Sequence, residues 1–160
     1  MENQFNEFLT LLKTIDEYDV EYILIGGVAV IIHGFDRLTQ DVDLFIRNTP
    51  GNIEKLRIAL HSLYQDEDIE EITKDELENY PVIRFGTPKE FYIDIMARIG
   101  QAFTFDDLEF EIVEYQGVNI KVATPETLYK LKANTYREKD KLDLNFLRDI
   151  IESKQRNKKK

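Results

Sequence analysis

The sequence YILIGGVAVIIHGFDRLTQDVDLFIR, residues 22–47, decides the fold of this chain. It begins with an apolar run over residues 22–25, which Gly26 and Gly27 interrupt, and a second apolar run follows Asp41 and extends to residue 46. Short apolar runs bounded by glycine are typical of buried strands, and the interval between these two is long enough for a short helix. The stretch therefore predicts a strand, a glycine turn, a short helix and a second strand.

Two aspartates stand at the start of the second predicted strand. Asp41 and Asp43 are two residues apart, so on a strand both side chains point to the same face, about 7 Å apart at the backbone. Like charges held in this way destabilise a fold unless a cation lies between them. Each feature has a plainer interpretation, because Asp-x-Asp is common in surface turns and Gly-Gly often forms only a tight turn. Their combination on consecutive elements favours a metal site beside a phosphate-binding turn.

The combined pattern resembles the signature of the DNA polymerase β-type nucleotidyltransferase superfamily. The residues that carry the resemblance are Gly26-Gly27 followed by Arg37-x-Thr39-x-Asp41-Val42-Asp43-Leu44. The chain is most similar to the minimal bacterial members found in abortive-infection and toxin–antitoxin systems. The resemblance implies that the glycine turn holds a nucleoside triphosphate. It further implies that Asp41, Asp43 and a third aspartate on a neighbouring strand bind two Mg²⁺ ions, which Mn²⁺ is able to replace.

A candidate for the third aspartate is Asp94, in the second arm of a β-hairpin predicted over residues 82–97. The neighbouring residues are apolar, and an unpaired carboxylate within such a strand is costly to bury. The residues alone leave two interpretations open: an ion pair with Arg84 or Arg98, or a metal ligand. The resemblance favours the metal ligand, and it makes Asp94 the candidate base that takes the proton from an attacking hydroxyl.

The sequence after residue 122 predicts a pair of helices. Thr124 and Pro125 form a helix start, with threonine as the N-cap and proline at the first helical position. This segment resembles the C-terminal helices of the same nucleotidyltransferases, which implies that Lys132 faces the triphosphate and that Arg37 adds positive charge there. A solvent-exposed lysine is the alternative interpretation of Lys132.

Length and composition limit the function classes. The chain has 160 residues, 42% of them hydrophobic, which is enough for one core. We expect this core over residues 1–122, a helical pair over 123–153 and a disordered basic tail over 154–160. The net charge of −10 opposes non-specific binding of nucleic acid, so an RNA or DNA acceptor would need a local basic patch. The lack of cysteine excludes disulfides, thiol catalysis and Cys-ligated zinc. We expect a soluble, cytoplasmic protein without membrane contact, because no apolar run approaches about 18 residues.

The expected fold is α/β (α+β): a small mixed sheet of four or five strands with helices packed on it, and a helical pair at the C-terminus. The expected function is Mg²⁺-dependent transfer of a nucleoside monophosphate from an NTP to a hydroxyl of an RNA end, a protein or a small molecule. The resemblance places such an enzyme in a toxin–antitoxin or abortive-infection system, with an antitoxin as partner protein. The alternative is a non-catalytic member of the same fold that binds a nucleotide or a partner.

Overall fold

The computed structural model describes residues 2–135 and 137–158. The helices are α1 (Glu2–Glu17), α2 (Gly26–Ile32), α3 (Pro50–Leu63), α4 (Lys74–Asn79), α5 (Pro125–Asn134) and α6 (Lys141–Lys158). The strands are β1 (Tyr22–Ile25), β2 (Asp41–Ile46), β3 (Ile83–Gly86), β4 (Tyr92–Met96), β5 (Arg98–Ile99), β6 (Phe103–Thr104), β7 (Phe110–Tyr115) and β8 (Val118–Ala123). Short 3₁₀ turns cover Glu67–Glu71, Phe105–Asp107 and Glu138–Asp140.

Six of the strands form one mixed sheet in the order β3-β4-β2-β1-β8-β7. The pairs β1–β2, β3–β4 and β7–β8 are antiparallel, whereas β2–β4 and β1–β8 are parallel. The central strand β1 is fully buried, as expected for a short continuous apolar run. The mixed α/β class is therefore confirmed. The sheet is wider than the four or five strands expected, because both arms of each predicted hairpin join it.

Helices cover the two faces of the sheet. On one face, Phe8 of α1 packs against Phe91 with 4.9 Å between ring centroids, and Tyr64, which follows α3, lies 6.0 Å from Phe85. On the other face α2 packs against β1 and β2, and it contacts both α5 and α6. Residues alternate in direction along a strand, so the second face is the one to which Asp94 points. The core lies between these layers and the sheet.

Threonine caps start three helices where the sequence places them. The Oγ1 atom of Thr49 accepts a hydrogen bond from the backbone N–H of Asn52, and Thr124 accepts one from Thr127 in the same way. Pro50 and Pro125 occupy the first position of α3 and α5, where a missing N–H costs nothing. Thr73 caps the short α4 within the acidic segment. These local signals fix where each helix begins.

One further hairpin and one difference from expectation remain. Between β4 and β7, the two-residue strands β5 and β6 pair in an antiparallel hairpin. Residues 154–158, expected to be disordered, are the last turns of α6, and all of their side chains are exposed. Residues 159 and 160 of that predicted tail lie outside the described residues. Within the described part of the chain, no helix is long and apolar enough to cross a membrane.

Candidate active site

The register of three neighbouring strands brings the predicted aspartates together. Asp43 on β2 lies opposite Asp94 on β4, and Asp94 lies opposite Arg84 on β3. Asp41 is two residues from Asp43 on the same strand, opposite Tyr92. Paired residues share a face of the sheet and side chains alternate along each strand, so all five side chains lie on one face. The two predicted aspartates of β2 and the predicted aspartate of β4 thus form one acidic cluster.

Arg84 is the cation closest to this cluster. Its Nη2 atom donates a hydrogen bond to Asp41 Oδ1 at 2.8 Å, and its Nε atom lies 3.8 Å from Asp94 Oδ1. The guanidinium also stacks on the Tyr92 ring, 4.0 Å from its centroid. Arg84 was one of two arginines considered as partners of Asp94; the other, Arg98, instead donates to the backbone oxygen of Glu78. The interpretation of Asp94 as an ion-pair partner of Arg84 therefore holds in this structure.

Asp43 and Asp94 form an adjacent acidic pair. Burial, followed by the charge of Asp94 and a hydrogen bond to it, raises the pKa of Asp43 to about 7. Burial also raises the pKa of Asp94, while the Arg84 charge and the hydrogen bond from Asp43 act in the opposite direction. Asp43 therefore keeps its proton in mildly acidic solution and loses it as the pH rises through about 7. Two adjacent carboxyl groups avoid repulsion in this way when no metal neutralises them.

Gly26 makes the approach of α2 to this cluster sterically feasible. Its φ is +75°, in the left-handed region, and a Cβ atom built on it would lie 1.8 Å from Asp43 Oδ2. Gly27 is less constrained, because a Cβ atom there would lie 3.3 Å from Thr39 Oγ1 and 3.4 Å from the Arg37 guanidinium. Gly26 is therefore required for the close packing of α2 on β2, independently of any phosphate.

The two predicted phosphate-binding cations meet on one buried acid of α6. Asp143 is 2% exposed and forms an ion pair with Arg37, and it lies 3.1 Å from Lys132 Nζ. Lys132 Nζ is also 3.5 Å from Asp140 Oδ1. Lys132, whose side chain is 12% exposed, is consequently paired and largely shielded from solvent, which corrects the alternative of a solvent-exposed lysine. Asp140 is buried like Asp143, at 3% exposure.

These groups line one cavity of about 460 Å³. Its walls include the glycine pair, the three aspartates, and the cations Arg37 and Lys132. Apolar side chains complete it on both sides: Ile25, Val82, Met96, Ile99, Leu128 and Leu131. All seven predicted site residues therefore face one space. A cavity that combines acidic, basic and apolar walls is large enough for a nucleotide.

The acidic cluster has the chemistry of a metal site but not its arrangement. Carboxylate oxygens are the ligands that Mg²⁺ prefers, and the buried Oδ1 of Asp94 has no hydrogen-bond partner among the described residues. Over residues 2–135 and 137–158, however, no three His, Cys, Asp or Glu side chains are arranged to hold a metal ion as they stand. The reason is visible in the pairing, because Arg84 holds Asp41 while Asp43 bonds to Asp94. The donor set fits a divalent cation once those pairs open.

Comparison with known proteins identifies the family. A family described as "Nucleotidyl transferase of unknown function (DUF2204)" matches residues 4–159. The chain belongs to this nucleotidyltransferase family. Its substrate class is thus a nucleotide, and enzymes of this kind generally use divalent metal ions. No curated protein matches the sequence.

Solved structures agree with this nucleotidyltransferase fold. The lincosamide antibiotic adenylyltransferase LnuA, in its lincomycin-bound crystal structure, superimposes with a TM-score of 0.61 at 18% identity, covering 94% of this chain and 98% of LnuA. An antigenic nucleotidyltransferase-like protein from Paracoccidioides brasiliensis gives a TM-score of 0.54 at 15% identity, covering 91% of this chain and 74% of that one. At these identities the likeness shows a shared fold.

Sequence reasoning undervalued one residue beside the acidic cluster. Arg84 was considered only as a partner of Asp94, whereas it also binds Asp41, which is 43 positions away in the chain. The signal was available in part, because the hairpin register predicts that Arg84 faces Asp94. The contact with Asp41 was hidden, since it depends on the parallel pairing of β2 with β4, which no local pattern predicts.

Proposed function

We propose that this nucleotidyltransferase moves a nucleoside monophosphate from an NTP to a hydroxyl acceptor in a Mg²⁺-dependent reaction, with Mn²⁺ able to replace Mg²⁺. The observation that carries the proposal is the convergence of Asp41, Asp43 and Asp94 on the cavity that the glycine pair also lines. A triphosphate placed there would meet carboxylate-bound metal on one side and glycine backbone on the other. Phosphoryl-group transfer relies mainly on such positioning and charge neutralisation.

The NTP, which is the nucleotide donor, would bind in the part of the cavity that α2 and α5 line. Gly26 and Gly27 line the cavity without side chains, so their backbone lies close to Asp43 and Arg37. Arg37 and Lys132 supply positive charge, and both are oriented by the buried Asp143. Because Asp143 already restricts the rotamers of Arg37 and Lys132, these side chains lose less conformational entropy when a phosphate binds. Leu128 and Leu131 offer apolar surface for the nucleoside.

The acceptor side is the outer part of the sheet at β3 and β4. Val82 and Tyr92 remain 44% and 43% exposed there, on the same face as the carboxylates, so this part of the sheet is open. An acceptor hydroxyl that enters from this side reaches Asp94 first. Asp94 is then in position to take the hydroxyl proton as the base, while the oxygen attacks the α-phosphate and pyrophosphate leaves.

Metal ions held by Asp41, Asp43 and Asp94 would supply charge neutralisation for the triphosphate and lower the pKa of the acceptor hydroxyl. The residues themselves must first give up their present partners. Asp41 has to leave Arg84, and Asp43 has to be ionised. Metal binding at the proposed site therefore requires a rearrangement of these carboxylates.

Among the three acceptor classes, we rank a small molecule first, a protein hydroxyl second and an RNA end third. The net charge of −10 repels a polyanion. The open surface beside Asp94 carries the apolar Val82 and the aromatic Tyr92, which suit a neutral acceptor with apolar faces. A protein of this fold, LnuA, is a lincosamide antibiotic adenylyltransferase.

The test is calorimetric titration of ATP, GTP, CTP and UTP with Mg²⁺ into wild-type protein and into the Asp41→Asn, Asp43→Asn double variant. We expect one NTP to bind only with Mg²⁺ and only to the wild type, with the variant still folded by circular dichroism. Transfer of radiolabel from the α-phosphate of that NTP to small-molecule, protein and RNA acceptors then identifies the acceptor. Equal binding by wild type and variant would refute the proposed site.

The alternative, a non-catalytic member of the fold that acts by binding a partner protein such as an antitoxin, predicts a different result. In that case the folded wild type would bind an NTP without turnover, or would not bind one. The calorimetric titration followed by the label-transfer assay separates the two proposals. The role in a toxin–antitoxin or abortive-infection system stays a prediction from the sequence.

A further inference from the structure

Arg84 stands where the carboxylate cluster needs a positive charge. It contacts Asp41 at 2.8 Å and approaches Asp94 to 3.8 Å, so it bridges β2 and β4 from its own strand, β3. Because β3 is the edge strand, the arginine reaches the cluster from the open side of the site. Its side chain is 52% exposed, which leaves it free to move outward without disturbing the core.

Arg84 has a second partner besides the carboxylates. Its guanidinium stacks on Tyr92, whose ring lies over Gly86; a Cβ atom on Gly86 would be 3.4 Å from Tyr92 Cε1. An arginine released from Asp41 can keep the aromatic contact, which is worth about 0.5–1 kcal/mol at exposed sites. The ion pair itself is also exposed, so opening it costs little. Both features allow the guanidinium to leave Asp41 without losing all of its contacts.

A free divalent cation and the same cation bound to a triphosphate meet this arginine differently. A free metal ion has to displace the guanidinium from Asp41 and then lie close to it, so two cations are brought together. A metal–triphosphate complex carries net negative charge, so the displaced guanidinium gains an anionic neighbour. Arg84 therefore opposes binding of the free metal ion and tolerates binding of the metal–triphosphate complex.

We propose that Arg84 makes the site selective for a divalent metal ion that arrives with its nucleotide, by taking the place of the metal until then. The inference rests on the proposed function, since it assumes that Asp41, Asp43 and Asp94 bind the metal. Arg84 acts through these carboxylates and is a positioning residue. If Arg84 acts in this way, the protein without nucleotide binds free metal ions weakly. Metal and nucleotide then bind cooperatively.

The experiment measures Mn²⁺ binding by electron paramagnetic resonance, with and without the non-reactive analogue α,β-methylene-ATP. Five proteins are compared: wild type, Arg84→Gln, Arg84→Lys, Arg98→Gln and Asp43→Asn. We expect Arg84→Gln to bind Mn²⁺ alone at least about tenfold more tightly than wild type, and to bind it only slightly differently in the presence of the analogue. Arg84→Lys keeps the charge, so it should remain close to wild type.

Arg98→Gln is the matched control, because Arg98 lines the same cavity but donates to the Glu78 backbone oxygen rather than to a carboxylate of the cluster. It removes the same charge and should leave Mn²⁺ affinity near that of wild type. Equal tightening by both glutamine variants would show a general charge effect and overturn the inference. A role of Arg84 confined to stability would lower the unfolding temperature without tightening Mn²⁺ binding.

Failure of this inference is distinguishable from failure of the proposed function. If wild type and Arg84→Gln bind Mn²⁺ equally well, and Asp43→Asn does not, the metal site stands and the selectivity of Arg84 is refuted. If none of the folded proteins binds Mn²⁺, with or without the analogue, both proposals are refuted. Circular dichroism and thermal unfolding in EDTA establish that each variant is folded.

Discussion

The Oδ2 atom of Asp43 lies 1.8 Å from the position that a Cβ atom would take on Gly26. The carboxylate therefore occupies the space that any other residue at position 26 would need. Since Gly26 also has a φ of +75°, two independent constraints require glycine there. The first residue of α2 and the second aspartate of β2 are in this sense one structural unit.

This relationship predicts that Gly26→Ala is strongly destabilising and displaces Asp43. The left-handed backbone alone costs about 1–3 kcal/mol, and the collision adds to it. Urea denaturation should show a loss of at least ~2 kcal/mol together with loss of NTP binding. Gly51→Ala is the control, because Gly51 lies within helix α3 with no atom within 4 Å of a Cβ atom built there. Unchanged stability of Gly26→Ala would contradict this geometry.

A second prediction concerns the pH dependence of stability in EDTA. The pKa of Asp43 is raised from 3.8 to about 7, so between these values the native state binds a proton that the unfolded state has lost. The free energy of unfolding must therefore fall as pH rises from about 4 to about 7, by at most ~4 kcal/mol.

Urea denaturation of wild type and Asp43→Asn at pH 5 and pH 8 checks this prediction. The amide cannot ionise, so the variant should lose less stability than wild type between the two pH values. At pH 8 the variant should be the more stable protein. Parallel pH dependence of the two proteins would show that Asp43 titrates normally.

A third prediction is that loading of the site releases a proton at mildly acidic pH. Metal ligands are carboxylates without their protons, and Asp43 holds one below a pH of about 7. Calorimetry of Mg²⁺ with NTP at pH 6, in buffers of different ionisation enthalpy, should reveal net proton release. At pH 8.5 the release should largely disappear. Absence of buffer dependence at pH 6 would mean that Asp43 does not ionise when the site fills.

A fourth prediction concerns Asp143, which is buried between Arg37 and Lys132. Asp143→Asn leaves Lys132 with Asp140 as its remaining acidic partner. Because removal of one member of a buried ion pair is strongly destabilising, we expect the free energy of unfolding to fall by about 3 kcal/mol. Urea denaturation measures the loss. Glu152→Gln removes an exposed acid from the same helix and should change stability by less than ~0.5 kcal/mol. A similar small effect for Asp143→Asn would argue against the buried cluster.

The sequence by itself determined most of the local structure. Thr49, Thr73 and Thr124 mark the starts of three helices, because a cap needs only a hydroxyl and the backbone that follows it. The alternation around Asp41 and Asp43 predicted their common face, since a strand has a period of two. The family resemblance extended this to Asp94. These inferences concern residues that are close in the chain, or residues that match the motif of a known family.

Only the tertiary structure decided which partners these residues have. Arg84 reaches Asp41 because β4 pairs antiparallel with β3 and parallel with β2, which places both residues on one face of the sheet. Asp143 reaches Arg37 across 106 positions of the chain. Such contacts depend on strand order and helix docking, which arise from burial of the whole core rather than from any local pattern. The pKa of Asp43 has the same origin, because burial and the proximity of Asp94 exist only in the folded chain. The sequence predicted which residues form the site, whereas their ion pairs and the raised pKa of Asp43 arise only in the folded chain.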